Sequence, residues 1–238
     1  MPDKYKLSAP ASSSLIPEER HDAELSRVYA EILDKITDHE LLPGKKLTES
    51  ELCRQLACSR NTVRNALSLL AHDKIVDLQP NRGAFVHMPD LKEIRDVYNT
   101  RIELDCMVTD MLLAMPDIAE RLQPLYALID LEEKATESGD RVSWNRLANA
   151  FHVELVRVLG NDVLLEIVNT LCARSALIVA VVDHKNPDKR SNSHSEHREI
   201  LDLLSAGKRT RLQNLMRRHL AGCLGRLERK IFEEQISG

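Results

Sequence analysis

At 238 residues, with a net charge of −4 and only 3% aromatic residues, the chain has length for two domains with aliphatic cores, and its bulk charge excludes a uniformly basic nucleic-acid coat. The five cysteines are odd in number, scattered and without a C-x-x-C pair, which excludes a disulfide frame or zinc knuckle and fits buried thiols in a reducing cytoplasm. The longest apolar run, residues 176–182, is too short to cross a bilayer, so a soluble, cytoplasmic chain with no membrane partner is expected.

Residues 1–20 mix proline, serine and charge without a period and predict a flexible arm. From about 22 to 40, Leu25, Val28, Tyr29, Ile32 and Ile36 share one stripe, as in an amphipathic helix, and Pro43-Gly44 breaks it. Thr48 with Glu51 reads as a capping box that opens a second helix through Leu52 and Leu56. After a turn at 57–59, Ser59 caps a third helix from about 60 to 72. The period then drops to two: 75–79 and 84–88 predict a hairpin turned at 80–83, with Gly83 in the turn. Residues 88–90 form a linker. Helices follow near 91–115, 117–138, 141–159, 161–183, 191–206 and 208–234. The expected fold is mainly α. A winged helix-turn-helix of three helices and a small hairpin occupies 21–88, and an all-α antiparallel bundle of six to seven helices occupies 89–234, for effector binding and dimerisation.

The third helix divides its labour. Val63, Ala66, Leu67 and Leu70 form the docking face, while Arg60, Asn61, Arg64, Asn65 and Ser68 lie opposite. Paired guanidiniums suit guanine edges or phosphates, and asparagine suits adenine. Ser59 and Thr62 sit at the helix N-terminus, where hydroxyls and free N–H groups can hold a phosphate. A solvated polar face is the plain alternative, but the following hairpin, with Asn81 and Arg82 at its tip, favours a DNA reader. Nine Lys/Arg balance nine Asp/Glu over 24–88, so the contact must be local or doubled in a dimer.

The stretch LLPGKKLTESELCRQLACSRNTVRNALSLLAHDKIVDLQPNRGAFV, residues 41–86, resembles the DNA-binding domain of the GntR family of bacterial transcription regulators. The shared landmarks are PG, L-x-E, SR-x-x-VR-x-AL and P-x-RG-x-x-V. The resemblance implies that Arg60, Asn61, Thr62 and Arg64 face the major groove and that the wing around Gly83 faces the minor groove. Members often carry a basic residue early in the second helix, where this chain has Glu49, Ser50 and Glu51.

In the helical remainder, polar groups interrupt apolar stripes. Arg101, with Asp105 beside it, lies among Val97, Leu104, Val108 and Leu112. His152 adjoins Phe151 and Leu155, His197 shares a stripe with Ile200, Leu201 and Leu204, and His219 shares one with Leu212, Leu215, Met216 and Cys223. One inward histidine is ordinarily a satisfied core residue. Three from different helices, with an arginine that is costly to bury alone, predict a convergent polar cavity. There Arg101 would hold a carboxylate or another anion, and the histidines a metal or a polar ligand.

These features resemble the FCD effector domain of the FadR-type branch of the same family. The matching residues are Asp96, Arg101 and Glu103, Phe151-His152 with Gly160-Asn161, Glu196 through Leu201, and Arg217 through Leu220. Metal-binding members carry an aspartate four residues before the first histidine; here that position is Ala148. The resemblance thus implies two alternatives: zinc or nickel on three histidines, with the usual carboxylate ligand missing, or a metal-free pocket that binds the effector directly. Asn149, about 100° around the helix from position 148, would not replace that ligand.

The expected function is a ligand-responsive transcription regulator, a repressor, acting as a homodimer on pseudo-palindromic operator DNA and answering to a small anionic metabolite. The rivals are a metal-dependent hydrolase built on the histidine cluster, for which no general base is legible beside it, and an architectural DNA binder without a ligand.

Overall fold

The computed structural model describes residues 19–185 and 192–237; most of the arm expected over 1–20 lies outside them. Helix α1 (Glu19–Thr37) buries Val28, Tyr29, Ile32, Leu33 and Ile36 against α3 (Arg60–His72), whose docking residues Val63, Ala66, Leu67 and Leu70 are buried in turn. Helix α2 (Glu49–Leu56) contributes Leu52 and Leu56 to the same core. Fully burying one such aliphatic side chain is worth about 1.5–3 kcal/mol, so this helical face is set by packing rather than by propensity.

The expected hairpin gains a third strand. β1 (Lys46–Leu47) pairs antiparallel with β3 (Gly83–Val86), which also pairs with β2 (Val76–Gln79), giving the order β1-β3-β2. The capping box at Thr48 does not form. Thr48 is extended and makes no side-chain cap; its carbonyl accepts from Glu51 and Leu52. Ser59 does cap α3, its hydroxyl accepting from the N–H of Thr62 at 3.1 Å. Between the two helices Ala57 is left-handed, φ 48°, a conformation that costs a non-glycine residue roughly 1–2 kcal/mol and ends α2 ahead of α3.

Beyond the linker, α4 (Leu91–Leu113) starts on an Asp90 cap, whose carboxylate accepts from the N–H of Glu93 at 2.7 Å. The single helix expected at 117–138 is two: α5 (Ile118–Arg121) and α6 (Gln123–Ser138), with Pro124 in the first turn of α6, where its missing N–H costs nothing. α7 (Arg141–Leu159), α8 (Asp162–Lys185), α9 (Ser193–Ser205) and α10 (Arg209–Ser237) complete the bundle. By length and composition Asp162–Val182 could cross a membrane, which the length of the apolar run alone did not indicate. Here that segment packs against α4, α7 and α1 as a core helix.

The aliphatic core runs continuously from α1 and α3 into the bundle. Polar groups stitch the seam. Arg146 of α7 reaches Asp34 of α1 and Asp38 just after it at 3.1 and 3.7 Å. Tyr29 donates to the buried Asp73 at 2.6 Å. His87, just after the wing, lies between Asp77 of β2 at 2.9 Å and Glu93 of α4 at 2.8 Å. Glu93 also accepts from Arg174 of α8. Burial opposes ionisation of Glu93, but His87 and Arg174 outweigh it and hold the carboxyl below its usual range.

Candidate functional site

Two clusters of polar residues stand out, one on the surface and one buried. On α3, Arg60, Asn61, Arg64 and Ser68 are exposed and Asn65 half-buried, opposite the docking face. At the wing tip Asn81, Arg82 and Gly83 are exposed; Asn81 takes φ 59° and Gly83 φ 98°. The Arg82 guanidinium sits 5.5 Å from the Phe85 ring centre, an arrangement that supports the cation without neutralising it. Thr62 departs from the expected groove-facing set. It is fully buried, and its hydroxyl bonds Ser59 at 2.8 Å and Glu24 at 3.3 Å. Its position one turn before Ala66 places it on the inward flank.

The second cluster is sealed in the bundle, where α4, α6, α7, α9 and α10 converge. His152, His197 and His219 are all buried, and one nitrogen from each lies within 4.8 Å of the others. Phe151 stacks on His197 with ring centres 4.1 Å apart, fixing the imidazole plane. Sequence reading places Asp105 beside Arg101 but misses the other two carboxylates. Glu132 of α6 accepts from Nδ1 of His197 at 2.7 Å and from the Ser193 hydroxyl. Glu196 accepts from Nδ1 of His219 at 2.6 Å. Asp105 lies 3.1 Å from Nδ1 of His152, off the line of a good hydrogen bond. So although Ala148 removes one carboxylate, three others surround the rings, and the expectation that no candidate base stands beside the cluster is corrected. Glu132 interrupts the stripe Leu125, Leu128, Ile129 of α6, the signal that had drawn attention to the histidines. Glu196 directly precedes His197 in the chain, within the stretch that resembles the FCD domain.

The protonation pattern follows. Burial and the nearby Arg101 guanidinium push His152 down to about 3, and burial lowers His219 as well. Burial opposes ionisation of Glu132, yet His197 and Ser193 hold it below the usual carboxylate range; the hydrogen bond from His219 does the same for Glu196. With Nδ1–H groups committed to Glu132 and Glu196, the remaining acceptor position on each ring is Nε2, and the Nε2 atoms of His197 and His219 face each other at 3.2 Å. Two lone pairs at that distance repel unless a proton or a metal ion lies between them. Ligand nitrogens around a tetrahedral zinc sit ~3.4 Å apart, from a metal–nitrogen length of ~2.05 Å. The donor set fits such an ion, and the His197 and His219 rings, each oriented by a carboxylate, have the usual outer shell of a metal-binding histidine.

Arg101 adjoins this point. It is buried, and it donates to Asn149 through Nη1 at 3.2 Å. Asp105 lies 3.6 Å from Nη2, but Nε and Nη2 make no hydrogen bond among the described residues. Asn149 is turned to this guanidinium and to Asn145 rather than to the histidines. A buried cation with open donors leaves a demand that an anion would satisfy. Trp144, the chain's only tryptophan, donates to Ser193 at 2.8 Å, linking it through Glu132 to His197. Of the landmarks farther out, Glu103 is held at the surface by Arg217 and Asp96 by Lys92.

Comparison with known proteins gives both regions a counterpart. Residues 25–86 match the family of bacterial regulatory proteins of the gntR type, and residues 96–222 match the FCD domain. The chain is 26% identical to an uncharacterised HTH-type transcriptional regulator from an unstable DNA locus of Streptomyces ambofaciens, over 85% of this chain and 84% of that protein. It is 27% identical to the gluconate operon transcriptional repressor of Bacillus licheniformis over 61% of this chain and 59% of the repressor. Among solved structures, a GntR transcriptional regulator from Rhodococcus sp. RHA1 superposes with a TM-score of 0.72 at 26% identity, covering 86% of this chain and 97% of that one.

Proposed function

The chain belongs to the GntR family of bacterial transcription regulators, in the group that carries an FCD domain, and from that premise we propose that it is a cytoplasmic, homodimeric repressor released from its operator by a small anion bound beside a metal ion. The division of labour falls near residues 88–90. In the head, α3 enters the major groove with Arg60, Asn61 and Arg64 toward base edges, Ser59 at a phosphate, and Asn81, Arg82 and Gly83 at the minor groove. Two copies set two readers on adjacent half-sites of a pseudo-palindrome.

In the bundle, His152, His197 and His219 hold zinc or nickel. The ion supplies a Lewis-acidic point for an anionic oxygen. Arg101 takes the anion's carboxylate through its open Nε and Nη2 donors. The observation that carries this reading is the facing pair of Nε2 atoms, 3.2 Å apart, each ring backed by its own carboxylate. The repressor named among the relatives supports the sign of regulation.

The route from pocket to reader runs along α4. That helix carries Arg101 and Asp105 in the pocket and Glu93 at its first turn, where His87 ties it to the wing strand β2. A shift of α4 would be felt at the wing without crossing any flexible segment. About 1–3 kcal/mol of coupling suffices for a 5–150-fold change in operator affinity.

The test is a panel of small carboxylates screened for thermal stabilisation and then for release of bound operator DNA. A carboxylate that does both supports the reading, and Arg101→Met should lose the response while keeping DNA binding. A stabilising carboxylate that leaves operator affinity unchanged would sink it.

A further inference from the structure

Arg64, on the exposed face of α3, is already engaged within the chain. Its Nε donates to both carboxylate oxygens of Glu49, at 2.9 and 3.0 Å. Glu49 is the first residue of α2, so the contact spans the two helices of the helix-turn-helix. Both side chains reach solvent, at 64% and 36% exposure, and an exposed pair of this kind adds little to stability. A carboxylate on a DNA-facing surface also repels phosphate. The contact thus has a cost at the interface and little structural return, and its geometry explains what it does. With Nε held, the four N–H groups of Nη1 and Nη2 remain, and among the described residues neither nitrogen has a partner. They form the end of the fork directed away from Glu49, the end that matches the O6 and N7 acceptors of guanine.

We propose that Glu49 is a positioning residue for sequence reading: it aims the Nη fork of Arg64 at one guanine of each operator half-site and withholds that arginine from phosphates. Fixing a long side chain in its binding geometry before contact lowers the ordering cost of the correct complex. The added negative charge weakens every incorrect one. Both effects widen the gap between the specific site and bulk DNA. The proposal rests on α3 being the DNA-reading helix.

The test uses the full-length chain. Selection from a randomised duplex library defines the preferred half-site. Affinities are then measured for that site, for versions with each guanine replaced, and for non-specific duplex, with wild type, Glu49→Gln and Arg64→Gln. Wild type should reject replacement of one guanine by roughly 5–150-fold, the range of a good bidentate contact. Arg64→Gln should abolish that rejection. Glu49→Gln should cut it severalfold while raising affinity for non-specific duplex. If Arg64→Gln removes the discrimination and Glu49→Gln leaves it intact, or strengthens all duplexes by one factor, the positioning role is wrong and the reading helix stands. If Arg64→Gln changes discrimination at no base, both fall.

Discussion

In the head, Arg60, Asn61 and Arg64 stand in solvent on a helix whose opposite face is aliphatic; in the bundle, Arg101, Glu132 and three histidines are sealed inside an aliphatic shell. The two regions use polar groups under different rules. An exposed cation costs little to keep, and binding is improved by adding contacts to a polyanion. A buried one must be matched, so its surroundings specify what may enter. The chain's overall acidity is therefore no obstacle to gripping DNA, and the bundle's polar atoms say more about its ligand than their number suggests.

The comparison predicts unequal sensitivity to substitution. The largest effect belongs to the bundle. Glu132→Ala strands the Ser193 hydroxyl and the His197 ring in a dry site, at about 1–3 kcal/mol for each unsatisfied group, so a loss of about 3 kcal/mol in denaturant unfolding is expected. A loss under 1 kcal/mol would mean that water reaches the cluster. The head should respond less: Ser59→Ala removes the α3 cap and should cost about 1 kcal/mol, with a matching loss in operator affinity.

The smallest effect lies at the seam. Glu93 is held below its usual range, so its unfolded form binds more protons as the pH falls, and its contribution is present above the unfolded value and lost as pH drops through the folded one. Glu93→Gln should therefore lower stability at neutral pH by under about 1 kcal/mol, the group being partly solvated, and the difference from wild type should begin to shrink as the pH falls through the ordinary glutamate value of ~4.3 and vanish only below the lowered folded value. A difference that persists in acid would assign the loss to packing.

Much of the head is legible in sequence because its signals are local. Ser59 sits directly before the helix it caps, and Gly83, expected in the turn, instead opens β3 just after it with φ 98°. Its misses involve distance or a competing face. β1 is two residues long and exists only through pairing with β3, some 38 positions on. Thr48 looked like a capping residue, but its side chain takes no part in the cap. Thr62 takes its expected groove-facing place from the family resemblance, although the period of three to four that places Ala66 and Leu70 inside also places Thr62 there. The bundle's histidines were legible as interruptions of apolar stripes. Glu132 was not, and Asp105 was legible only as a neighbour of Arg101, because the contacts between Glu132 and His197 and between Asp105 and His152 join helices far apart in sequence, and spacing carries no trace of such pairings. The empty position at Ala148 drew attention to a missing charge, while three charges stood one shell further out.

The central claim is that the buried histidines hold a cation. The most direct measurement is zinc titration of metal-stripped full-length protein, followed calorimetrically and by the emission of Trp144, which is linked to His197 through Ser193 and Glu132. The account predicts saturation at one zinc per chain with a concurrent emission change, and loss of both in His219→Ala. Calorimetric silence, or uptake that survives His219→Ala, would contradict it.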